Sequence, residues 1–356
     1  MINSPGNKET LRIIPVSSNT LRWKFAQAHP TLTFLLLCFA WSWTIWLAAI
    51  PLANDDALLR YALTLVGGFG PAVGGILASG LKQGLRFDFS ARRLVIGGIT
   101  SVLIFALMAA RYALGNFPGF ETLPGTLRLT PAILLCAVAA SLIGGWVVSN
   151  ARSTNPDIRA RLASLLPRGT NPGWLLFALL FYPALILLSW AAASAVGLPV
   201  EYPGLWGRPA AEVIPLFLLS FSLTALARGG NEEPGWRGVM QPELQKKISP
   251  LVASLIIAFF WSLWHLPLFL NGFYAGDVVS GMLGGGVYRI FLSIFLTWVY
   301  NRSRGNVLLM VLLHASFNVA VDYLPLSDTL LAVFWLVISV GLVIKGKMAQ
   351  KLPATA

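Results

Sequence analysis

Long apolar runs separated by short polar segments dominate the chain from residue 31 onward. A helix needs about 20 mostly apolar residues to cross the hydrocarbon core of a bilayer. Ten runs approach or reach this length, and they predict spans at 31–53, 60–81, 94–114, 130–149, 174–197, 212–230, 250–270, 281–300, 306–323 and 328–345. The pattern therefore predicts an all-α polytopic membrane protein with about ten transmembrane helices.

Composition points the same way. Hydrophobic residues make up 56% of the chain and charged residues 11%, with a mean hydropathy of +0.71. An average soluble domain is about 25% charged, so the composition excludes a soluble globular enzyme and a disordered chain. The 26 Lys and Arg outnumber the 14 Asp and Glu. In a membrane protein such an excess is typical of cytoplasmic loops, so it does not indicate nucleic-acid binding.

The loop charges predict an orientation. Basic segments, such as 82–93 and 152–168, alternate with acidic or sparsely charged segments, such as 53–58 and 272–279. Because basic loops stay on the cytoplasmic side, both termini are predicted to be cytoplasmic. The predicted organisation is an N-terminal cytoplasmic or interfacial segment at 1–30, a single transmembrane domain at 31–345 and a cytoplasmic tail at 346–356.

Polar residues within the spans concentrate in three stretches, at 231–237, 261–265 and 314–318. Ionisable groups inside a membrane are costly, so each is a functional candidate. In the first stretch Glu233 and Arg237 are four residues apart and can form an ion pair on one helix face. Glu232 is then the unpaired carboxylate, turned about 100° away around the helix.

The other two stretches each place a pair of polar or aromatic residues on one helix face. Trp261 and His265 are four apart, as are His314 and Asn318. Three polar stripes on apolar helices are most economically satisfied if all three face one cavity. A carboxylate with a histidine can activate water, and a histidine with an asparagine can stabilise an oxyanion.

Other unusual residues receive structural interpretations. Arg111 and Arg289 are expected to extend toward the membrane interface. Small residues at spacings of three and four in the second span predict close helix packing, and they are Gly67, Gly70, Gly74, Gly75 and Ala78. Taken singly, the Glu233–Arg237 pair could be structural, His265 could be a buried histidine, and His314 with Asn318 could hold helices together.

In these three stretches the sequence resembles the CPBP intramembrane proteases, which include CAAX prenyl endopeptidases of the Rce1 type and bacterial Abi proteins. Two glutamates, three intervening residues and an arginine stand at 232–237, and His-x-x-x-Asn stands at 314–318. The aromatic residue four positions before a histidine is usually Phe in the family and is Trp261 here. The resemblance covers about 31–81 and 151–340 and implies an eight-helix core, with about 85–150 as an inserted hairpin.

The resemblance also implies an activity. Such a protein would be an intramembrane endopeptidase of the glutamic type in a prokaryotic cell membrane, cutting a membrane-associated or hydrophobic peptide. Glu232 assisted by His265 would activate water, and His314 with Asn318 would stabilise the oxyanion. The site would be supported by Glu233, Arg237 and Trp261. The scheme requires no metal and no other cofactor.

Two other functions and one geometric question stay open at this point. Glu232, His265 and His314 could instead be zinc ligands, since two histidines and a carboxylate form a known metal site. The chain could also be a non-enzymatic membrane scaffold or a bacteriocin-immunity protein. To bring Glu232 to the depth of the histidines, the sixth span is expected to be long and tilted, reaching about Met240.

Overall fold

The computed structural model describes residues 23–52, 56–85, 88–114 and 129–353, and these residues are almost entirely helical. Parts of the predicted N-terminal segment, the predicted hairpin and the predicted tail lie outside this set. Its extended structure is limited to an isolated antiparallel bridge between Glu201 and Leu326. The helices are α1 (Lys24–Ala28), α2 (Pro30–Leu52), α3 (Ala57–Gly67), α4 (Gly70–Gln83), α5 (Ala91–Leu114), α6 (Pro131–Ser149), α7 (Pro156–Leu162), α8 (Pro172–Val196), α9 (Ala210–Ala227), α10 (Glu233–Gly235), α11 (Gln241–Gln245), α12 (Pro250–Trp264), α13 (Leu266–Leu270), α14 (Val278–Arg302), α15 (Val307–Tyr323) and α16 (Asp328–Lys345).

The predicted polytopic membrane fold is confirmed. Among the described residues, nine helical runs are long and apolar enough to cross a membrane. The remaining predicted span corresponds to α15, which is apolar but has only 17 residues. The sixth predicted span belongs to the longest run, Ala210–Gln245, which covers 36 residues and includes several breaks in helical geometry.

Capping residues fix where three of the long helices begin. The side chain of Ser249 accepts a hydrogen bond from the backbone N–H of Val252 at the start of α12. Asp277 and Asn306 cap α14 and α15 in the same way. Such side chains satisfy N–H groups that have no partner within the helix. The caps therefore set the starting points of the helices that carry the candidate site or flank it.

The small-residue stripe in α4 produces the predicted close packing. A Cβ added to Gly74 would lie 2.7 Å from the backbone nitrogen of Cys38 in α2. On another side of α4, a Cβ added to Gly75 would lie 3.2 Å from the Cα of Gly235. Small residues let helix backbones approach within a membrane protein. As a result, α4 lies directly against the turn that carries the two adjacent glutamates.

The hairpin formed by α5 and α6 is tied to the rest of the fold by Arg111. The prediction that Arg111 extends to the interface is wrong, because its side chain is buried and donates from Nη2 to Ser220 Oγ in α9 at 2.8 Å. Ser220 Oγ is also hydrogen-bonded to the Tyr323 hydroxyl of α15 at 2.8 Å. A buried arginine favours protein partners when neighbouring helices offer them. The hairpin is therefore linked to α15, which carries His314.

An ion pair and backbone hydrogen bonds fasten the start of the hairpin. Asp88 accepts hydrogen bonds from the backbone N–H groups of Ser90 and Thr154 and lies 3.5 Å from the Arg93 guanidinium. Although desolvation opposes the shift, these donors lower the pKa of Asp88 to about 2. Asp88 therefore stays ionised near neutral pH and joins the segment before α5 to the segment after α6.

Two apolar clusters form the core, and a cavity lies between them. One cluster is built mainly from α2, α8, α12, α14, α15 and α16, and it includes Trp46 and Trp264. The other is built mainly from α3, α4, α5, α6 and α9, and it includes Leu65 and Ala227. All four of these residues also line the cavity. The polar stretches singled out from the sequence meet at this boundary.

Candidate active site

The chain between α9 and α11 bends sharply before the two glutamates. Helix α9 ends at Ala227, and Gly229 adopts φ +140°, a backbone conformation that residues other than glycine rarely adopt. Helical turns resume at Gly230, with a wide π-turn from Trp236 to Met240. The predicted long sixth span thus extends beyond Met240, but it is not a single tilted helix. Turns of the π type are frequent at functional sites.

Asn231 holds this bend in place. Its Oδ1 accepts a hydrogen bond from the backbone N–H of Gly229 at 2.7 Å, and its Nδ2 donates to the carbonyl oxygen of Gly68 at 3.1 Å. The bend is therefore tied to the junction between α3 and α4. Sequence analysis gave Asn231 no role, because the partner at Gly68 is far away along the chain.

Glu233 is the centre of a buried charged cluster. The predicted pair with Arg237 is present, with 3.3 Å between Arg237 Nε and Glu233 Oε2, and neither side chain is exposed. The other carboxylate oxygen accepts a hydrogen bond from His314 Nδ1 at 2.7 Å. Arg237 Nη1 also donates to Ser293 Oγ at 3.2 Å. Glu233 therefore orients the imidazole ring of His314 through its Nδ1 atom.

Glu232 points away from this cluster, as its predicted position implied. Its Oε2 accepts a hydrogen bond from the indole N–H of Trp261 at 2.7 Å. The Trp261 ring also lies beside the Arg237 guanidinium, 5.6 Å from the ring centre. Phenylalanine, the usual residue of the resembled family at this position, has no N–H to donate. The tryptophan of this chain therefore adds a hydrogen bond that fixes the Glu232 carboxylate.

His265 follows the last residue of α12, and its ring orientation is set by Trp261. His265 Nδ1 lies 2.7 Å from the Trp261 carbonyl oxygen. Because a carbonyl oxygen can only accept, Nδ1 carries the proton and donates. The Nε2 atom of the neutral ring is then left with a lone pair. Trp261 and His265 share one helix face as predicted, with 6.3 Å between their ring centres.

His314 and Asn318 converge on Gly229. A Cβ built on Gly229 would lie 3.0 Å from His314 Nε2 and 2.8 Å from Asn318 Nδ2. The two nitrogen atoms therefore face the same small volume beside the bend. Any side chain at position 229 would occupy the space in front of them, so glycine keeps this space open. Sequence analysis gave Gly229 no role.

All four predicted catalytic residues line one cavity of about 350 Å³, and they are Glu232, His265, His314 and Asn318. Glu232, His265 and His314 are each less than 10% exposed. Trp261 lines the cavity as well, whereas Glu233 and Arg237 lie behind its wall. The structure thus brings together the three polar stripes that the helical spacing placed on separate helices.

Three cavity residues were missed or misinterpreted. The prediction that Arg289 extends to the interface is wrong, because Arg289 lines the cavity together with Tyr274 and Arg228. Burial raises the pKa of the Tyr274 hydroxyl, although Arg289 opposes the shift. Tyr274 therefore stays protonated at neutral pH and can donate a hydrogen bond. The position of Arg289 at the middle of a 25-residue apolar helix was a signal for function.

A metal centre was the main alternative for these residues. Within the described part of the chain, no group of three or more His, Cys, Asp or Glu side chains is arranged to hold a metal ion. The proposed zinc ligands Glu232, His265 and His314 are all described, and they do not form such a group. Elemental analysis of the purified protein is the direct test of this alternative.

Comparison with known proteins gives two matches. Residues 214–320 match the family of type II CAAX prenyl endopeptidases described as Rce1-like. A protein of Methanococcus maripaludis named CAAX prenyl protease 2 is 31% identical over 158 residues. The match covers 42% of this chain and 56% of that relative. The chain thus spans little more than half the length of the curated relative.

The helical fold and the buried polar cavity define a polytopic membrane protein with a candidate active site inside it. Residues 214–320 are similar to the Rce1-like family, and they contain all three polar stretches of the cavity. The resemblance stated from the sequence is therefore confirmed. Both the family and the relative are named as proteases.

Proposed function

We propose that this protein is an intramembrane endopeptidase that hydrolyses a peptide bond in a membrane-associated or hydrophobic peptide. One observation carries the proposal. A carboxylate, two histidines and an amide, contributed by three separate parts of the chain, line one buried cavity of about 350 Å³. These are the groups that water activation and oxyanion stabilisation require.

In the proposed reaction Glu232 and His265 activate water. The Glu232 carboxylate, fixed by Trp261, accepts a proton from a water molecule as the water oxygen forms a bond to the peptide carbonyl carbon. His265 assists through Nε2, which has a free lone pair when Nδ1 donates to the backbone. The accepted proton later passes to the peptide nitrogen as the carbon–nitrogen bond breaks. Water is consumed and two peptides leave.

His314 and Asn318 are proposed to stabilise the negatively charged carbonyl oxygen formed by this attack. Asn318 donates from Nδ2, and His314 donates from Nε2 when its ring carries both protons. Two donors that converge on one small volume act without rearrangement during the reaction. Glu233 and Arg237 are positioning residues in this scheme, because they hold His314 and do not line the cavity.

The decisive experiment compares peptides in membranes of cells that produce the wild-type protein or Glu232→Gln. The substitution keeps the shape of the side chain and removes the proposed base, which costs about 10²–10⁴ in rate. Glu212→Gln is the matched control, because Glu212 is 57% exposed and lies in the segment that begins α9. We expect peptides that are present with wild type and Glu212→Gln and missing with Glu232→Gln. Identical peptide profiles would instead favour a scaffold or immunity protein.

A second measurement separates the glutamic from the zinc mechanism. Purified protein is analysed for bound metal and assayed with and without a chelator. Activity of metal-free protein supports the glutamic mechanism, whereas activity that requires stoichiometric zinc contradicts it. The name of the relative makes a prenylated C-terminal peptide the first substrate to assay. We also propose that both termini face the cytoplasm of a prokaryotic cell, as the loop charges indicate.

A further inference from the structure

Arg289 has an unusual position for an arginine. It lies halfway along α14, a helix of 25 residues, and its side chain lines the cavity. A charged side chain at the centre of a membrane-spanning helix is costly and is typical of functional sites. An arginine in such a position therefore indicates a function.

The guanidinium of Arg289 has unused hydrogen-bonding capacity. Its Nη1 atom is buried and has no hydrogen-bond partner in the described structure. A Cβ added to Gly285, one turn earlier, would lie 2.6 Å from this Nη1 atom. The guanidinium thus folds back along its own helix, in a space that a glycine leaves open. An unpaired buried donor is costly unless something else binds it.

The other two arginines near the cavity are already paired. Arg237 lies 3.3 Å from Glu233, and Arg228 lies 3.3 Å from Asp322. Among the described residues, no carboxylate lies within ion-pairing distance of Arg289. Its guanidinium interacts with the Tyr274 hydroxyl through a side-chain hydrogen bond and with Glu232 through charge alone. Asp328 lines the same cavity from an exposed position. Arg289 is therefore the cation of the cavity that is free to bind a ligand.

We propose that Arg289, with the Tyr274 hydroxyl beside it, binds a carboxylate of the substrate next to the peptide bond that is cut. This inference rests on the proposed function of the same cavity. The planar guanidinium matches the two oxygens of a carboxylate better than any other side chain does. The carboxylate belongs either to the C-terminus of the substrate or to an acidic side chain, and the two sources are separated below.

The test measures binding and does not depend on cleavage. Three pools of random hydrophobic peptides differ only in their carboxylates. The first has free C-terminal carboxylates, the second is amidated, and the third is amidated and contains one glutamate. Each pool is incubated with detergent-purified Glu232→Gln protein, and bound peptides are quantified by mass spectrometry. Because this variant lacks the proposed base, failure of the proposed protease activity does not affect the result.

We expect the first or the third pool to bind about 10- to 100-fold better than the amidated pool, because a hydrogen bond to a charged group typically contributes that much to binding. Preference for the first pool identifies the C-terminus, and preference for the third identifies a side chain. Adding Arg289→Gln should remove this preference without weakening the binding of the amidated pool. With Arg289→Lys in its place, part of the preference should remain. Arg228→Gln is the matched control and should keep the preference, because Arg228 already has an acidic partner.

Three results would overturn the proposal. The first is equal binding, or no binding, of all three pools by the Glu232→Gln protein. The second is a preference that persists in the Arg289→Gln variant. The third comes from the catalytically intact protein: if Arg289→Gln lowers cleavage of free-acid and amidated peptides equally, Arg289 acts through Glu232 and not through the substrate.

Discussion

Two buried glutamates, ten positions apart in one stretch of chain, have contrasting surroundings. Glu243 in α11 is bound by Lys82 and Lys246, each at 2.9 Å, and by Arg161. Glu233 has Arg237 at 3.3 Å and His314 at 2.7 Å. The Lys246 side chain is 57% exposed, whereas the Glu233 and Arg237 side chains are completely buried.

The comparison shows two different uses of a buried carboxylate. Every cation at Glu243 comes from a different helix or turn, so this cluster fastens α4, α7 and α11 together. At Glu233 several polar atoms lack hydrogen bonds, including Glu233 Oε2 and Arg237 Nη2. Burying charges with incomplete hydrogen bonding costs stability. A cluster that costs stability and orients a cavity histidine is best explained by the proposed chemistry.

Breaking the Glu233 cluster should have the largest effect. Glu233→Gln leaves the Arg237 charge buried without its partner, and losing one member of a buried pair costs about 3–5 kcal/mol. We expect a large loss of thermal stability in detergent, together with loss of activity because His314 loses the negative charge of its acceptor. The double variant Glu233→Gln/Arg237→Met should recover much of the stability and none of the activity. Recovery of activity in the double variant would contradict the role given to Glu233.

Gly229→Ala should damage activity more than stability. The added methyl group would press on His314 and Asn318, and small misplacements of catalytic groups can cost about 10²-fold in rate. Gly197→Ala is the matched control, because Gly197 also has positive φ but no atoms near its Cβ position. Both variants bear backbone strain of about 1–3 kcal/mol. Equal activities of the two variants would show that the space beside Gly229 is not used.

The sequence predicted those features of the fold and site that depend on local spacing. The spans follow from apolar length, and the shared faces of Trp261 with His265 and of His314 with Asn318 follow from helix periodicity. The direction of a long side chain depends on which helices pack beside it. For that reason the positions of Arg111 and Arg289 were predicted wrongly.

The bend at Gly229 could not be predicted for a related reason. Its shape depends on Asn231 reaching Gly68 and on α15 approaching the chain closely, and both are contacts between distant parts of the sequence. The roles of the four cavity residues in catalysis stay a prediction. The experiments on Glu232 test them directly.

Trp261→Phe should have an intermediate effect on activity. It introduces the residue that is usual in the resembled family and removes the indole N–H that binds Glu232. A hydrogen bond to a charged group contributes about 1.5–3 kcal/mol, so we expect activity to fall about 10- to 100-fold. Trp264→Phe is the matched control on the same helix, because the buried Trp264 N–H has no partner. If the two variants lose equal activity, ring packing and not the Glu232 hydrogen bond is responsible.

Glu243→Gln should have the smallest effect on activity. The substitution weakens three charged contacts that lie away from the cavity, and we expect the free energy of unfolding to fall by about 1–3 kcal/mol. Arg161 keeps Asp157 at 3.1 Å as a second partner, which limits the damage. Glu212→Gln breaks only an exposed contact with Arg208 and should change stability by about 0–1 kcal/mol. Thermal unfolding in detergent measures both variants, and peptide cleavage by Glu243→Gln should match wild type at temperatures where the variant is folded. A loss of activity in folded Glu243→Gln protein would mean that the two clusters are coupled through the turns between them. Glu243 would then contribute to activity as well as to stability, and the proposed difference between Glu243 and Glu233 would be wrong.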